Sequence, residues 1–271
     1  MSAARRKRRE SVPGVHPLDE RYVAAYARDE VSGDGLVRCP LCGAPLVPSR
    51  RHRAGHRYYR HASGADDERC PLTTPSYQPE GIAVGRPYDP EVGPVQRARF
   101  VRLWRRHYRM ARASAPGLTL ERFSELVALA DVLNLWSYPS LDQRDLPYVL
   151  LAMAGFMAQR DERGEPVRVR FWFDWTVREV GQLWDAGRAA EPRLFRLVYR
   201  NPLHTPLPSG ADLLHWEPVE RAARLADIRT PVVARPELRA FARFLDESAR
   251  ERARREANDG RDGVDFDGSP E

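Results

Sequence analysis

The chain has 271 residues, 42% of them hydrophobic and 30% charged, with a formal net charge of +6. That length fits one or two domains, and the apolar share is near the roughly 45–50% of ordinary globular domains, which excludes wholesale disorder. The apolar run Leu146–Ala158 is far shorter than the ~20 residues of a spanning helix, the basic N-terminus lacks the apolar run of a signal peptide, and three cysteines do not make a disulfide framework.

A soluble, non-exported, cytoplasmic protein is therefore expected. Of the 44 basic residues only Lys7 is a lysine. No lysine beyond that position can act as a Schiff base, a phosphate-loop lysine or a nuclease lysine.

In chain order, residues 1–15 read as a basic disordered arm, because Arg5, Arg6, Lys7, Arg8 and Arg9 stand against Glu10 alone. Residues 18–78 form a first module, with short strands expected at Tyr22–Tyr26 and Leu36–Arg38. A Pro/Gly-rich stretch, Pro75–Pro94, marks a linker over 79–94. Residues 95–257 then read as a mainly helical domain with a small β element, so the fold class is α+β.

Within this domain the periodicity predicts a helix over Val95–Arg112 and a second from Leu120 to about Leu135, capped by Thr119. Asp145 and Pro147 start a third helix, buried on all sides, that extends to Ala158. Val167, Val169, Phe171 and Phe173 alternate with Arg168, Arg170 and Trp172, the period of a strand. A short helix over Thr176–Ala186 and a strand over Leu194–Tyr199 complete an expected β-α-β piece. A last helix runs from Pro236 to about Ala257, and residues 258–271 read as an acidic disordered tail.

Cys39-Pro40-Leu41-Cys42-Gly43 is the most specific local signal. A C-x-x-C turn sets two thiolates about one tetrahedral edge apart, and Gly after the second Cys lets the backbone turn. His61 and Cys70 complete a Cys₃His set that uses every cysteine in the chain, and a closed set of this type is a structural Zn²⁺ site. Such a site adds folding energy to a small module. A redox pair, plain buried thiols, and His52 or His56 in place of His61 are the competing readings. Gly43-Ala-Pro-Leu-Val-Pro-Ser does not open the helix that a redox motif wants.

The knuckle, the basic segment after it and the Tyr59-Arg60-His61 step together resemble the zinc-ribbon module at the N-terminus of competence-protein CoiA-like families, where that step is typically Phe-Ala-His. The resemblance covers about residues 20–75. It implies a ribbon ahead of a restriction-endonuclease-like domain with an acidic pair and a lysine. This chain has no lysine there to match.

On a helical wheel at roughly 100° per residue, Arg99, Arg102, Arg105, Arg106, Arg109 and Arg112 share one face of the first long helix, with Arg97 as the exception on the apolar side. No acid occurs from Gly93 through Arg112. A solvated face ordinarily mixes signs, since like charges one turn apart repel. A phosphate backbone is the preferred neutraliser. Glu121, Glu125 and Asp131, the acidic tail, or anionic lipid are the alternatives. His107, on the apolar side, reads as a core histidine.

Asp174 and Glu179 are weak candidates as catalytic metal ligands. Phe171–Trp175 reads as core packing ahead of base stacking. His204, His215, Ser209 and Asp212 lack the context of a hydrolase triad, and no phosphate-loop or dinucleotide fingerprint occurs. The expectation is a zinc protein that binds nucleic acid, without a small-molecule substrate. A metal-dependent nuclease and a protein-interaction module are the alternatives.

Overall fold

The computed structural model describes residues 14–15, 22–23, 37–50, 57–62, 70–73, 81–85, 89–185, 191–201, 210–221 and 228–262. Its elements are β1 (Gly14–Val15), β2 (Tyr22–Val23), β3 (Leu46–Arg50), β4 (Arg57–His61), α1 (Val92–Ser114), α2 (Leu120–Val132), α3 (Leu146–Met153), β5 (Met157–Arg160), β6 (Pro166–Phe173), β7 (Leu194–Arg200), β8 (Leu213–Pro218) and α4 (Arg235–Asp262). β1 pairs with β2 and β3 with β4, while β5-β6-β7-β8 form one antiparallel sheet in chain order. The fold is mixed α+β.

Alternation in β6 and β7 gives the sheet two apolar faces. Val167, Val169, Phe171, Phe173, Leu194 and Val198 join a core with Phe100 and Tyr108 of α1, Phe123 and Val127 of α2, most of α3, and Phe241 of α4. Trp172, Phe195, Leu197 and Tyr199 point the other way, into a second core with Val37, Cys39, Leu41, Leu46, Tyr59 and Cys70. The cross-strand pairs respect this split, with Val169 opposite Val198 and Trp172 opposite Phe195. Full burial of each large apolar side chain contributes about 1.5–3 kcal/mol, so both layers stabilise the sheet.

Local chemistry explains the helix limits. Thr119 Oγ1 accepts the Arg122 N–H at 3.1 Å and starts α2. Pro147 sits in the first turn of α3, where its missing N–H costs nothing. α3 stops at Met153 rather than continuing to Ala158. Gly155 adopts φ 63°, and the chain turns there into β5. The apolar run thus serves two elements, not one helix.

The Thr176–Ala186 helix is replaced by a 3-10 turn at Val180–Trp184 with a capping box between Glu179 and Gln182. β6 and β7 are antiparallel neighbours, so no β-α-β crossover is needed. Nor is the β element small, since β5 and β8 widen it to four strands. α4 continues to Asp262, so residues 258–262 begin as helix rather than as a disordered tail. The arm residues Arg5–Arg9 and residues 263–271 lie outside the described residues.

Part of the Pro75–Pro94 stretch is packed. Ala83 donates to the Arg178 carbonyl at 2.8 Å and accepts from the Val180 N–H at 2.9 Å. A Cβ at Gly81 would lie 2.6 Å from the Ala152 carbonyl oxygen, so only glycine permits this approach.

Candidate metal centre and basic helix face

The knuckle closes on itself through the backbone. The Cys39 N–H donates to the Ala44 carbonyl and the Gly43 N–H to the Cys39 carbonyl, both at 2.9 Å. Arg38 and Pro45 form the bridge beneath it. Gly43 holds φ +75°, and a Cβ there would sit 3.0 Å from the Trp175 ring. The turn therefore needs glycine twice over, for backbone conformation and for the indole packed on it. β3 then leaves and β4 returns, with His61 opposite Leu46. That register carries residue 61 back to the knuckle it started from.

Cys70 follows at a turn in which the Thr73 N–H donates to the Cys70 carbonyl at 3.1 Å. One ligand atom from each of Cys39, Cys42, His61 and Cys70 lies within 4.8 Å of all the others. Cys39 Sγ is 3.9 Å from Cys70 Sγ, and Cys42 Sγ is 3.2 Å from His61 Nε2. Zinc–sulfur bonds of about 2.3 Å imply tetrahedral edges of about 3.8 Å, so the cluster has the size of one four-coordinate ion. Cys39 and Cys70 are buried, while Cys42 and His61 are half-buried. His52 and His56 lie outside the described residues.

The sulfurs compete for charge. Burial pushes the Cys39 thiol up to about 12. The neighbouring sulfurs of Cys39 and Cys42, together with burial, push Cys70 upward as well. Cys42 moves the other way, because hydrogen bonds from Cys39, Cys70 and His61 favour its thiolate. A divalent ion would displace the remaining thiol protons, because metal-bound cysteines are thiolates.

The sheet anchors this centre from below. Trp172 Nε1 donates to the Leu41 carbonyl at 2.9 Å, the Trp175 N–H to the Pro40 carbonyl at 3.1 Å, and the Tyr199 hydroxyl to the Pro71 carbonyl at 3.3 Å. Sequence reasoning missed these three supporting residues. The aromatic density of Phe171–Trp175 and the strand pattern of Leu194–Tyr199 are their only signals in the sequence, and neither carries information on what covers them.

On α1, Arg99, Arg102, Arg105, Arg109 and Arg112 are exposed and Arg106 is half-buried, while Phe100, Trp104, His107, Tyr108 and Ala111 face inward. Among the described residues none of the six arginines forms an ion pair with a carboxylate. They are held by weaker means. Arg106 donates to Thr230 Oγ1 at 3.4 Å, Arg109 to the Arg229 carbonyl at 3.3 Å, and Arg112 to the Pro116 carbonyl at 3.4 Å.

Two of the three acids of α2 are committed elsewhere. Asp131 takes Arg97 at 2.6 Å and Arg252 at 3.3 Å, and Glu125 takes Arg122 at 2.6 Å. Arg97, the arginine on the wrong side of the wheel, is thereby explained.

Asp174 ends β6 as a local cap. One of its oxygens accepts from the Thr176 N–H and hydroxyl, and the other from the Arg193 N–H at 2.6 Å. Glu179 caps the following 3-10 turn and accepts from the Tyr138 hydroxyl at 3.3 Å. Neither belongs to a group of three or more potential metal ligands among the described residues. His215 is exposed on β8, and His204 and Ser209 lie outside the described residues. His107 is fully buried, stacks on Phe100 with ring centroids 4.9 Å apart, and meets Gln143 Oε1 at 3.1 Å through Nε2. It is a core residue. No helix among the described residues is long and apolar enough to cross a membrane.

No family model, curated protein or solved structure matches the chain.

Proposed function

We propose that Cys39, Cys42, His61 and Cys70 hold one structural Zn²⁺ ion, and that the protein binds nucleic acid through arginine–phosphate contacts on α1. The donor set supports zinc, because three sulfurs and one imidazole, all within 4.8 Å of one another, would fill the four positions of a structural site. Its likeness to the CoiA-like zinc ribbon belongs to the same proposal. The three cysteines form no disulfide with one another among the described residues, which suits a reducing, cytoplasmic compartment.

The observation that carries the nucleic-acid reading is the row of six arginines without a carboxylate partner among the described residues. Arg offers phosphate a planar, multi-donor fork and cannot be neutralised by deprotonation. The experiment is equilibrium binding to DNA and RNA over a range of salt. Affinity should fall steeply as salt rises, and a flat profile would refute the reading. A defined protein partner captured by a chain with no nucleic-acid affinity would favour the interaction-module alternative.

A further inference from the structure

The arginine face has a shape as well as a charge. Arg99 to Arg112 spans about 20 Å of one straight helix at ~1.5 Å per residue. The helix cannot roll, because Phe100, Trp104, His107, Tyr108, Met110 and Ala111 are all buried on its inner side. The cations are thus presented as a fixed stripe.

Among the described residues of α1, no exposed aromatic ring accompanies that stripe. The two rings nearest the surface, Trp104 and Tyr108, are 9% and 5% exposed and lie beneath Arg105 and Arg112, at 5.8 Å and 5.7 Å from the guanidinium carbons. Trp175, which is itself exposed, packs on Gly43 at the knuckle instead. Proteins that hold single strands offset the ordering of a flexible chain by stacking its bases on aromatic rings. A duplex needs no such compensation. Its phosphates are already ordered, with one charge per ~1.7 Å of axis, so about 20 Å of duplex presents roughly twelve.

The chain beside α1 extends the basic surface. Arg109 bonds the backbone of Arg229, whose side chain is exposed, as is that of Arg235. Glu237 is the nearby acid, close enough to act on Tyr108, and it accepts from the Ala234 N–H at 3.2 Å.

Resting on the nucleic-acid reading above, we propose that the arginine face of α1 is a platform for the backbone of double-stranded nucleic acid, gripping phosphates without stacking bases.

The test uses the full chain, a labelled duplex of about 30 base pairs and a single strand of the same length, titrated between about 0.05 and 0.2 M salt. The duplex should bind at least tenfold more tightly than the single strand. The triple variant Arg102→Gln/Arg106→Gln/Arg109→Gln should lower the salt slope for duplex by about 0.9 per removed contact, and weaken binding by about a hundredfold or more near 0.1 M salt. Arg102→Lys/Arg106→Lys/Arg109→Lys should restore most of that loss. Equal or tighter binding of the single strand, or a Gln triple variant with wild-type duplex affinity and an unchanged melting temperature, would overturn the proposal. Binding to neither nucleic acid would instead refute the reading on which it rests.

Discussion

Gly43 and His107 are the two residues whose environment most constrains them. Gly43→Ala would place a Cβ on a left-handed backbone and against the Trp175 ring. The backbone alone costs about 1–2 kcal/mol. Denaturant unfolding of the metal-loaded protein should show a loss of about 1–3 kcal/mol, with weaker zinc retention. Burial lowers the His107 pKa from 6.5 to about 4. Its folded value lies below its unfolded one, so the unfolded chain binds the extra proton. The resulting destabilisation is absent above pH 6.5, grows as pH falls, and is complete below about 4, at about 3 kcal/mol. NMR titration of the His107 ring should find it neutral at pH 5.5. A midpoint near 6.5 would mean the ring is not buried in solution.

At the scale of elements, Asp131 binds three helices together. It sits on α2, takes Arg97 from α1, and takes Ser248 and Arg252 from α4. Burial alone would raise its carboxyl pKa, but the hydrogen bonds and charge of Arg97, aided by Ser248 and Arg252, hold it below the usual range. The stabilisation is therefore present at neutral pH and lost in acid as that carboxylate protonates. Asp131→Asn should cost about 3 kcal/mol in urea unfolding, because it leaves Arg97 buried without its counter-charge.

Elements with one dominant face were legible in the sequence. α1, α2 and β6 each announce themselves by period, and Thr119 marks its helix. β5 was hidden because Met157 and Ala158 prolong the apolar run of α3, and the break rests on one glycine. β8 alternates only weakly, since Leu214 and His215 are both exposed on an edge strand. Arg170 and Trp172 read as the outward side of β6. Nothing in a period of two could reveal that a distant cysteine turn covers Trp172 or that Arg170 lies over the Phe156 and Trp172 rings.

In the whole molecule, the cysteine cluster and the helices bury opposite faces of one sheet. The four clustered residues themselves were legible, since two came from a short motif and the others were the remaining cysteine and a histidine at a strand end. That the centre would sit on Trp172 and Tyr199 was not, because this contact joins residues more than a hundred positions apart. Metal analysis should find close to one zinc per chain, lost in Cys39→Ser. Chelation should lower the melting temperature markedly, since such an ion contributes several kcal/mol to folding. Tryptophan emission should shift to the red as Trp172 and Trp175 lose their cover. Full zinc occupancy in Cys39→Ser would remove the assignment.

Because Cys39, Cys70, Trp172 and Tyr199 share one core, the cysteine segment is not a portable cassette. Severed near residue 78, it would lose the floor on which its turns are tied, and the remainder would carry a bare aromatic sheet face into solution. The two pieces, made separately, should be poorly soluble, yet they should recover when produced together. Any exchange of this segment between proteins would have to bring along a sheet whose second face had been shaped to receive it.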